Sequence, residues 1–401
     1  MIHSNLISRT ELLHSTCSAG YWMYLAHGLG IRNRWILLIG WVLVHYLVTI
    51  SRDNSLLWGL FGLAVGTCGL GIVRQGIRPG KKRKVVEVDA RELVNSLRFT
   101  ICSLVCISIF TCDFAIYPEW KKKSLEFGIS LMDFGVAAFM VNAGVLAAIR
   151  HRFRPLKGVY LLVMGLMRLG VLKSGYHAEP TEYGTELNFY FIYLACEVLG
   201  MCLRWINSWV VAGVLLLGHE WLVWRPGVVQ FVFYGARDGW WQSNREGLLS
   251  IVPYTGMLFL GKGVGEVIFD KRLSGSRKSL VLGTLAFGLL GVHWVSGMYL
   301  GPSRRLCSLA FSSFVCAAMV LPMSAHYLAG SIWDVPMVCP FPRLSQLFGP
   351  LFLLSNAYVL IGNLCFNWLR LSVWEAHAAN LVYLVALFLV PLWLLAGPKT
   401  S

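Results

Sequence analysis

The sequence predicts an all-α, polytopic membrane protein of about thirteen transmembrane helices, within a range of about 11–13. Two observations carry this. The 401 residues are 56% hydrophobic and only 14% charged, and apolar runs of spanning length, roughly 17–25 residues, recur along the whole chain. Their cores are Leu12–Gly30, Arg34–Ile50, Ser55–Val73, Ser96–Tyr117, Ile129–Ile149, Leu156–Leu172, Leu187–Leu203, Asn207–Trp224, Leu248–Glu266, Ser279–Leu300, Arg305–Tyr327, Gln346–Phe366 and Ala378–Leu395. Between Arg225 and Glu246 the pattern is too broken to span and reads as interfacial. No polar stretch is long enough to fold separately, so residues 1–401 read as one membrane domain.

The net charge of +15 comes from short basic loops rather than from a basic face interleaved with aromatics, which argues against a nucleic-acid partner. Positive-inside orientation explains it. Arg74–Arg91, Arg150–Lys157 and Lys271–Lys278 fall on one side when the helices are counted off, which makes that side cytoplasmic. The same count gathers the Pro118–Lys123 turn, the Lys173–Glu186 loop and Asn244-Arg245-Glu246 on the opposite side. The N-terminus lacks the order of a cleaved signal peptide, so the first spanning helices are expected to target the chain. Eleven cysteines form no Cys-x-x-Cys pair or metal spacing and read as packing residues. No metal or cofactor is called for.

Two acids stand out. Asp113 and Asp133 lie in apolar stretches on either side of Pro118 and the Lys121-Lys122-Lys123 turn. Counted back from Pro118 at about 1.5 Å per residue, Asp113 falls roughly 7 Å inside its helix, and Asp133 a similar distance inside the next. A carboxylate at membrane depth costs about 2.5–3.5 kcal/mol on insertion scales, which makes a functional role the working hypothesis. Lys121 and Lys122 read as a solvated face.

Further clusters follow in order. Arg168, Lys173 and Tyr176 to Gly184, with Glu179 and Glu182, lead to Asn188-Phe189-Tyr190-Phe191. This mixture can grip a polyol or amino sugar, and equally suits a hydrated loop with aromatic anchors. Arg245 and Glu246 open a helix as either a surface pair or a site. Ser303-Arg304-Arg305 suits a phosphate or interfacial snorkelling. Asn356 and Asn363 put amides in a late helix, where interhelical hydrogen bonding is the alternative. No phosphate loop, nucleophile elbow or zinc helix is present. General acid–base chemistry by a desolvated carboxylate remains. A transporter or flippase using Asp113 and Asp133 as proton or ion sites fits the composition equally, although no internal repeat supports it.

These motifs resemble the inositol acyltransferases of glycosylphosphatidylinositol (GPI) anchor synthesis, the family of the fungal GPI-anchored wall transfer proteins and their mammalian counterparts. Asp113-Phe114-Ala115-Ile116-Tyr117-Pro118, then Lys123, then Gly128-Ile129-Ser130-Leu131-Met132-Asp133-Phe134-Gly135-Val136 is similar to the family's Asp-Phe-x-x-Phe-Pro, Lys and Gly-x-Ser-Leu-Met-Asp-x-Gly-Val. Glu182-Tyr183-Gly184 and Asn188-Phe189-Tyr190-Phe191 resemble its Glu-Tyr-Gly and Asn-Phe-Phe-Phe. Glu179 stands where the family has histidine, Glu186-Leu187-Asn188 replaces its His-Trp-Asn, and Leu125 replaces a glutamate. Asn244-Arg245-Glu246-Gly247, Ser303-Arg304-Arg305, and Leu353 to Asn356 with Gly362-Asn363 resemble later motifs.

The resemblance implies a multi-pass enzyme of the endoplasmic reticulum membrane that moves a fatty acyl chain, typically palmitoyl, from acyl-CoA to the inositol 2-hydroxyl of glucosaminyl-phosphatidylinositol. It implies Asp113 and Lys123 as the catalytic pair. Asp133 is expected to organise the pocket. Arg168, Glu179, Glu182, Asn188, Arg245, Glu246, Asn356 and Asn363 are expected on the substrate side.

Overall fold

The computed structural model describes residues 33–52, 88–149, 155–173, 182–332 and 346–395, with scattered positions before residue 32, among 59–63 and at 344. The secondary structure of the described residues is helical, with no strand among them. In chain order the helices are α1 (Arg34–Ile50), α2 (Ala90–Thr111), α3 (Phe134–Ala147), α4 (Pro155–Lys173), α5 (Phe189–Leu203), α6 (Ser208–Val223), α7 (Val228–Tyr234), α8 (Trp240–Ser243), α9 (Arg245–Phe269), α10 (Gly275–Tyr299), α11 (Leu309–Ile332), α12 (Phe348–Cys365) and α13 (Val373–Leu384). The last continues through a π-helical segment (Val385–Leu389) into α14 (Val390–Leu395). Among the described residues, five spans are long and apolar enough to cross a membrane, and several shorter apolar helices accompany them. The expected run Ser55–Val73, the Arg74–Arg91 loop up to residue 87, and Glu179 fall wholly or largely outside the described residues, whereas Leu12–Gly30 is described in part, helical at 13, 15–18 and 21–26.

Side-chain caps decide where several helices begin. Asn33, Asp89, Asn188, Asn207 and Ser274 each accept a hydrogen bond from a backbone N–H of the first turn, and Ser372 forms a capping box with Glu375. Such caps satisfy donors that a helix leaves orphaned. Asp89 therefore starts α2 at Ala90, six residues before the apolar run. The same helix ends at Thr111 rather than Tyr117, because Phe114 N–H turns back to the Thr111 carbonyl ahead of Pro118, and Pro118 offers no N–H to continue.

This corrects the expected placement of both acids. Asp113 lies in the turn after α2, and Asp133 is the residue that precedes α3, so neither is inside a helix. At a helix end a carboxylate meets loop N–H and hydroxyl donors, which a mid-helix position denies it. The broken Arg225–Glu246 stretch folds as α7 and α8, both too short to span.

Helix α2 is the common wall of two apolar clusters. One face (Leu93, Val94, Leu97, Ile101) packs with α3, α9, α10 and α11, and the other (Phe99, Cys102, Cys106, Ile107, Phe110) packs with α1, α12 and α13. Phe110 stacks on Tyr383 of α13 with centroids 4.0 Å apart, and the Tyr383 hydroxyl donates to the Cys106 carbonyl at 2.7 Å. Helices α3 and α9 approach closely, since a Cβ on Gly261 would overlap the Val141 carbonyl oxygen and one on Gly144 that of Leu258. Small residues permit such approach between membrane helices. Gly261→Val is expected to overpack this contact at a cost of about 1–3 kcal/mol or more. Thermal unfolding in detergent should show it, with Gly218→Ala, whose Cβ meets nothing within 4 Å, melting like the wild type.

Candidate active site

The loops expected to share one side do meet. Residues 112–133, 182–188, 235–247 and 301–308 form one polar assembly at a common end of the helices. Thr185 N–H donates to the Ser243 carbonyl, Gly247 N–H to that of Tyr183, and Gly128 N–H to that of Pro302. Gly184 adopts φ +110°, and any Cβ there would lie 2.5 Å from Asn244 Cα. A side chain is excluded on both counts.

Asp133 is the anchor of the 121–133 loop. One oxygen, Oδ2, accepts from Ser130 N–H and Oγ (3.0 Å each) and from Ser124 Oγ (2.7 Å) and N–H (3.2 Å), while Oδ1 accepts from Arg304 Nε at 2.9 Å. The pair is buried, with Asp133 side chain 0% and Arg304 8% exposed. Burial works against the Arg304 cation, but Asp133 beside it, with Tyr254 and Tyr183, outweighs this and lifts its pKa above the ordinary value. A second buried centre adjoins it. Glu246 accepts from Arg237 at 2.5 Å and from Arg305 at 3.0 Å, and Arg305 also donates to the carbonyls of Leu125 and Val232.

The two residues of the expected catalytic pair both act electrostatically on Cys112. Asp113 Oδ2 accepts from Asn363 Nδ2 at 2.9 Å, and its Oδ1 faces the Cys112 thiol at 3.7 Å. Lys123 forms an ion pair with Glu182. Burial, then the adjacent Asp113, pushes the Cys112 thiol up to about 12 against the pull of Lys123 and Lys122. Near neutrality it is a thiol rather than a nucleophilic thiolate. Asp113 and Lys123 are both partly accessible, whereas Asp133, Arg304 and Glu246 are enclosed.

Several expectations change. Lys121 is not solvated: it is 1% exposed and donates to the Val48 carbonyl in the last turn of α1 at 2.6 Å, where the helix dipole favours a cation. Lys122 does pair with Glu119 at the surface. Asn188 caps α5 and donates to the Gly165 carbonyl, so both ends of its amide are engaged within the protein. Arg245 gives its guanidinium to the carbonyls of Val232, Ala236 and Gln242. Arg245 and Glu246 are therefore buried framework rather than a surface pair, and Arg304 and Arg305 are likewise committed to protein partners rather than to a phosphate. Arg168 sits in α4, half-buried, within electrostatic range of Tyr190. Asn356 is exposed on α12 and donates to Phe352 O one turn back.

The profile of one family, GWT1, matches residues 29–394 of this chain. The chain belongs to the GWT1 family. Among similar proteins, GPI-anchored wall transfer protein 1 of Kluyveromyces lactis is 28% identical, over 88% of this chain and 83% of that protein. The protein of the same name from Eremothecium gossypii is 29% identical over 48% of this chain and 45% of its own length. Glucosaminyl-phosphatidylinositol-acyltransferase PIGW of Bos taurus is 25% identical over 73% and 63% respectively. For this GWT1 member, the sequence did not point to Ser124, Trp368 or the Asp133–Arg304 pair. A serine beside Lys123 and an indole beyond Gly362-Asn363 were the available signals.

The enclosed and open acids should behave differently. Asp133→Asn leaves a buried guanidinium without its counter-charge, a loss of about 3–5 kcal/mol, and is expected to depress the melting temperature and folded yield. Asp113→Asn, in its half-open position, should melt within a few degrees of the wild type.

Proposed function

We propose that this chain transfers a fatty acyl group, palmitoyl or similar, from acyl-CoA to the inositol 2-hydroxyl of glucosaminyl-phosphatidylinositol in GPI-anchor synthesis, as a multi-pass enzyme of the endoplasmic reticulum membrane. The supporting observation is the partly accessible Asp113 carboxylate, with one oxygen held by Asn363 and the other facing the Cys112 thiol, on which Lys123 also acts, in a chain of the family that has relatives named glucosaminyl-phosphatidylinositol-acyltransferase.

In this reading Asp113 Oδ1 takes the proton of the hydroxyl as its oxygen attacks the thioester carbonyl. The carbonyl oxygen gains negative charge, which the Lys123 ammonium stabilises. Collapse breaks the C–S bond, the acyl chain stays on the inositol oxygen, and the CoA thiolate recovers the proton. Glu182 holds Lys123 in place until the oxyanion competes for it. Arg168, Asn356 and the stretch around Glu179 are left as substrate contacts, whereas Asn188, Arg245 and Glu246 support the loops.

The test is transfer from labelled palmitoyl-CoA to glucosaminyl-phosphatidylinositol in membranes carrying wild type, Asp113→Asn or Lys123→Met at matched expression. The wild type should yield an acylated product resistant to phosphatidylinositol-specific lipase, and both variants should fall by about 100-fold or more. A wild-type level in Asp113→Asn removes it as base. An inactive wild type that catalyses proton-coupled uptake overturns the acyltransferase reading.

A further inference from the structure

Asn363 was expected to touch substrate, but both of its polar atoms are already engaged. Nδ2 donates to Asp113, and Oδ1 accepts from the indole N–H of Trp368 at 2.8 Å. The oxygen and nitrogen of an amide are nearly interchangeable in shape, so a neighbour must decide which faces where. An indole N–H can only donate. The atom facing Trp368 is therefore the oxygen, and the nitrogen faces the carboxylate. Reversed, the amide would set acceptor against acceptor at the Asp113 carboxylate and donor against donor at the indole N–H.

The indole is itself held. Its ring packs on Phe114 (centroids 4.9 Å), Phe366 (5.0 Å) and Phe110 (5.7 Å), and Phe110 and Phe114 flank Asp113 in the chain. A Cβ on Gly362 would lie 2.6 Å from Trp368 Cζ2 and 3.3 Å from Cε2. Glycine at 362 is what lets the indole approach the residue next to it. One aromatic cluster thus fixes the backbone that carries the base and the side chain that orients it.

We propose that Trp368, through Asn363, is a positioning residue for Asp113: the indole locks the amide so that it always donates to Oδ2, leaving Oδ1 aimed at the incoming hydroxyl. Gly362 makes the lock possible. The inference rests on Asp113 as the base. It differs from a substrate-contact role for Asn363, whose loss would appear in KM.

The experiment measures kcat and KM for the acceptor lipid in purified full-length protein carrying Trp368→Phe, Asn363→Leu, both together, Gly362→Ala and Asp113→Asn, with melting temperatures alongside. Trp368→Phe keeps the ring stack and removes only the donor. It should lower kcat about 10-fold with KM within about twofold, and Asn363→Leu should lower kcat about 100-fold, the scale of a misplaced catalytic group. The double variant should match Asn363→Leu alone, because Trp368→Phe keeps the ring stack and removes only the N–H, which acts on the base through Asn363. Gly362→Ala, which displaces the indole, should resemble Trp368→Phe and serves the same test if that variant does not fold. A wild-type kcat in both Trp368→Phe and Gly362→Ala, multiplied losses in the double variant, or a loss confined to KM overturns the proposal. Full activity in Asp113→Asn instead overturns the base assignment beneath it.

Discussion

The ion pair between Asp133 and Arg304 is the constraint on which the polar end of the molecule depends. Two charges taken out of water favour folding only where geometry and extra hydrogen bonds satisfy them. Here Ser124 and Ser130 fill the remaining acceptor positions of Asp133. Because Ser124 follows Lys123 directly, the carboxylate that neutralises Arg304 also fixes where the lysine emerges. Because Arg304 belongs to the turn before α11, the position of Lys123 is tied to a helix remote in sequence. Glu246 repeats the arrangement with Arg237 and Arg305 and fastens α9 to the same turn.

The site also joins two halves of the apolar interior. Lys123, Glu182, Asp133 and Arg304 lie over the cluster built from α3, α9 and α11, while Asn363 and Trp368 belong to the cluster of α1, α12 and α13. Asp113 follows α2, the helix both clusters share. The base proposed above and its proposed cation are thus supported from opposite sides of a single helix. The packing of Phe110 on Tyr383 and the close contact of α3 with α9 hold the two sides together.

Composition was enough to read the fold class, since no soluble protein could hide apolar runs of that length, and the spacing of basic loops grouped the segments that do converge. The motif around Asp113 and Asp133 was legible because a carboxylate among apolar residues needs a reason. Their exact setting was not. Hydropathy continues through Ile116 and Tyr117 after the backbone has left α2 at Thr111, so a window of apolar residues overruns the helix end. Partners remote in sequence were equally hidden. Arg304 reads as a phosphate ligand until Asp133 is seen beside it, and Asn188 reads as a recognition amide although its capping role was implied by its place just before an apolar helix. Asn363 looked like a polar residue awaiting a ligand, and only Trp368 shows that its valences are filled.

Lys121 gives α1 a role beyond its own apolar packing. Its buried ammonium rests on a main-chain carbonyl of α1, and every residue has a carbonyl, so no signature in α1 need record the dependence. Lys121 thereby ties the loop bearing Lys123 to the backbone of that helix. A truncation that removed α1 would do more than shorten a membrane anchor: it would strip that carbonyl from an enclosed cation two residues from the lysine read as catalytic. Helix α1 is therefore structurally part of the site.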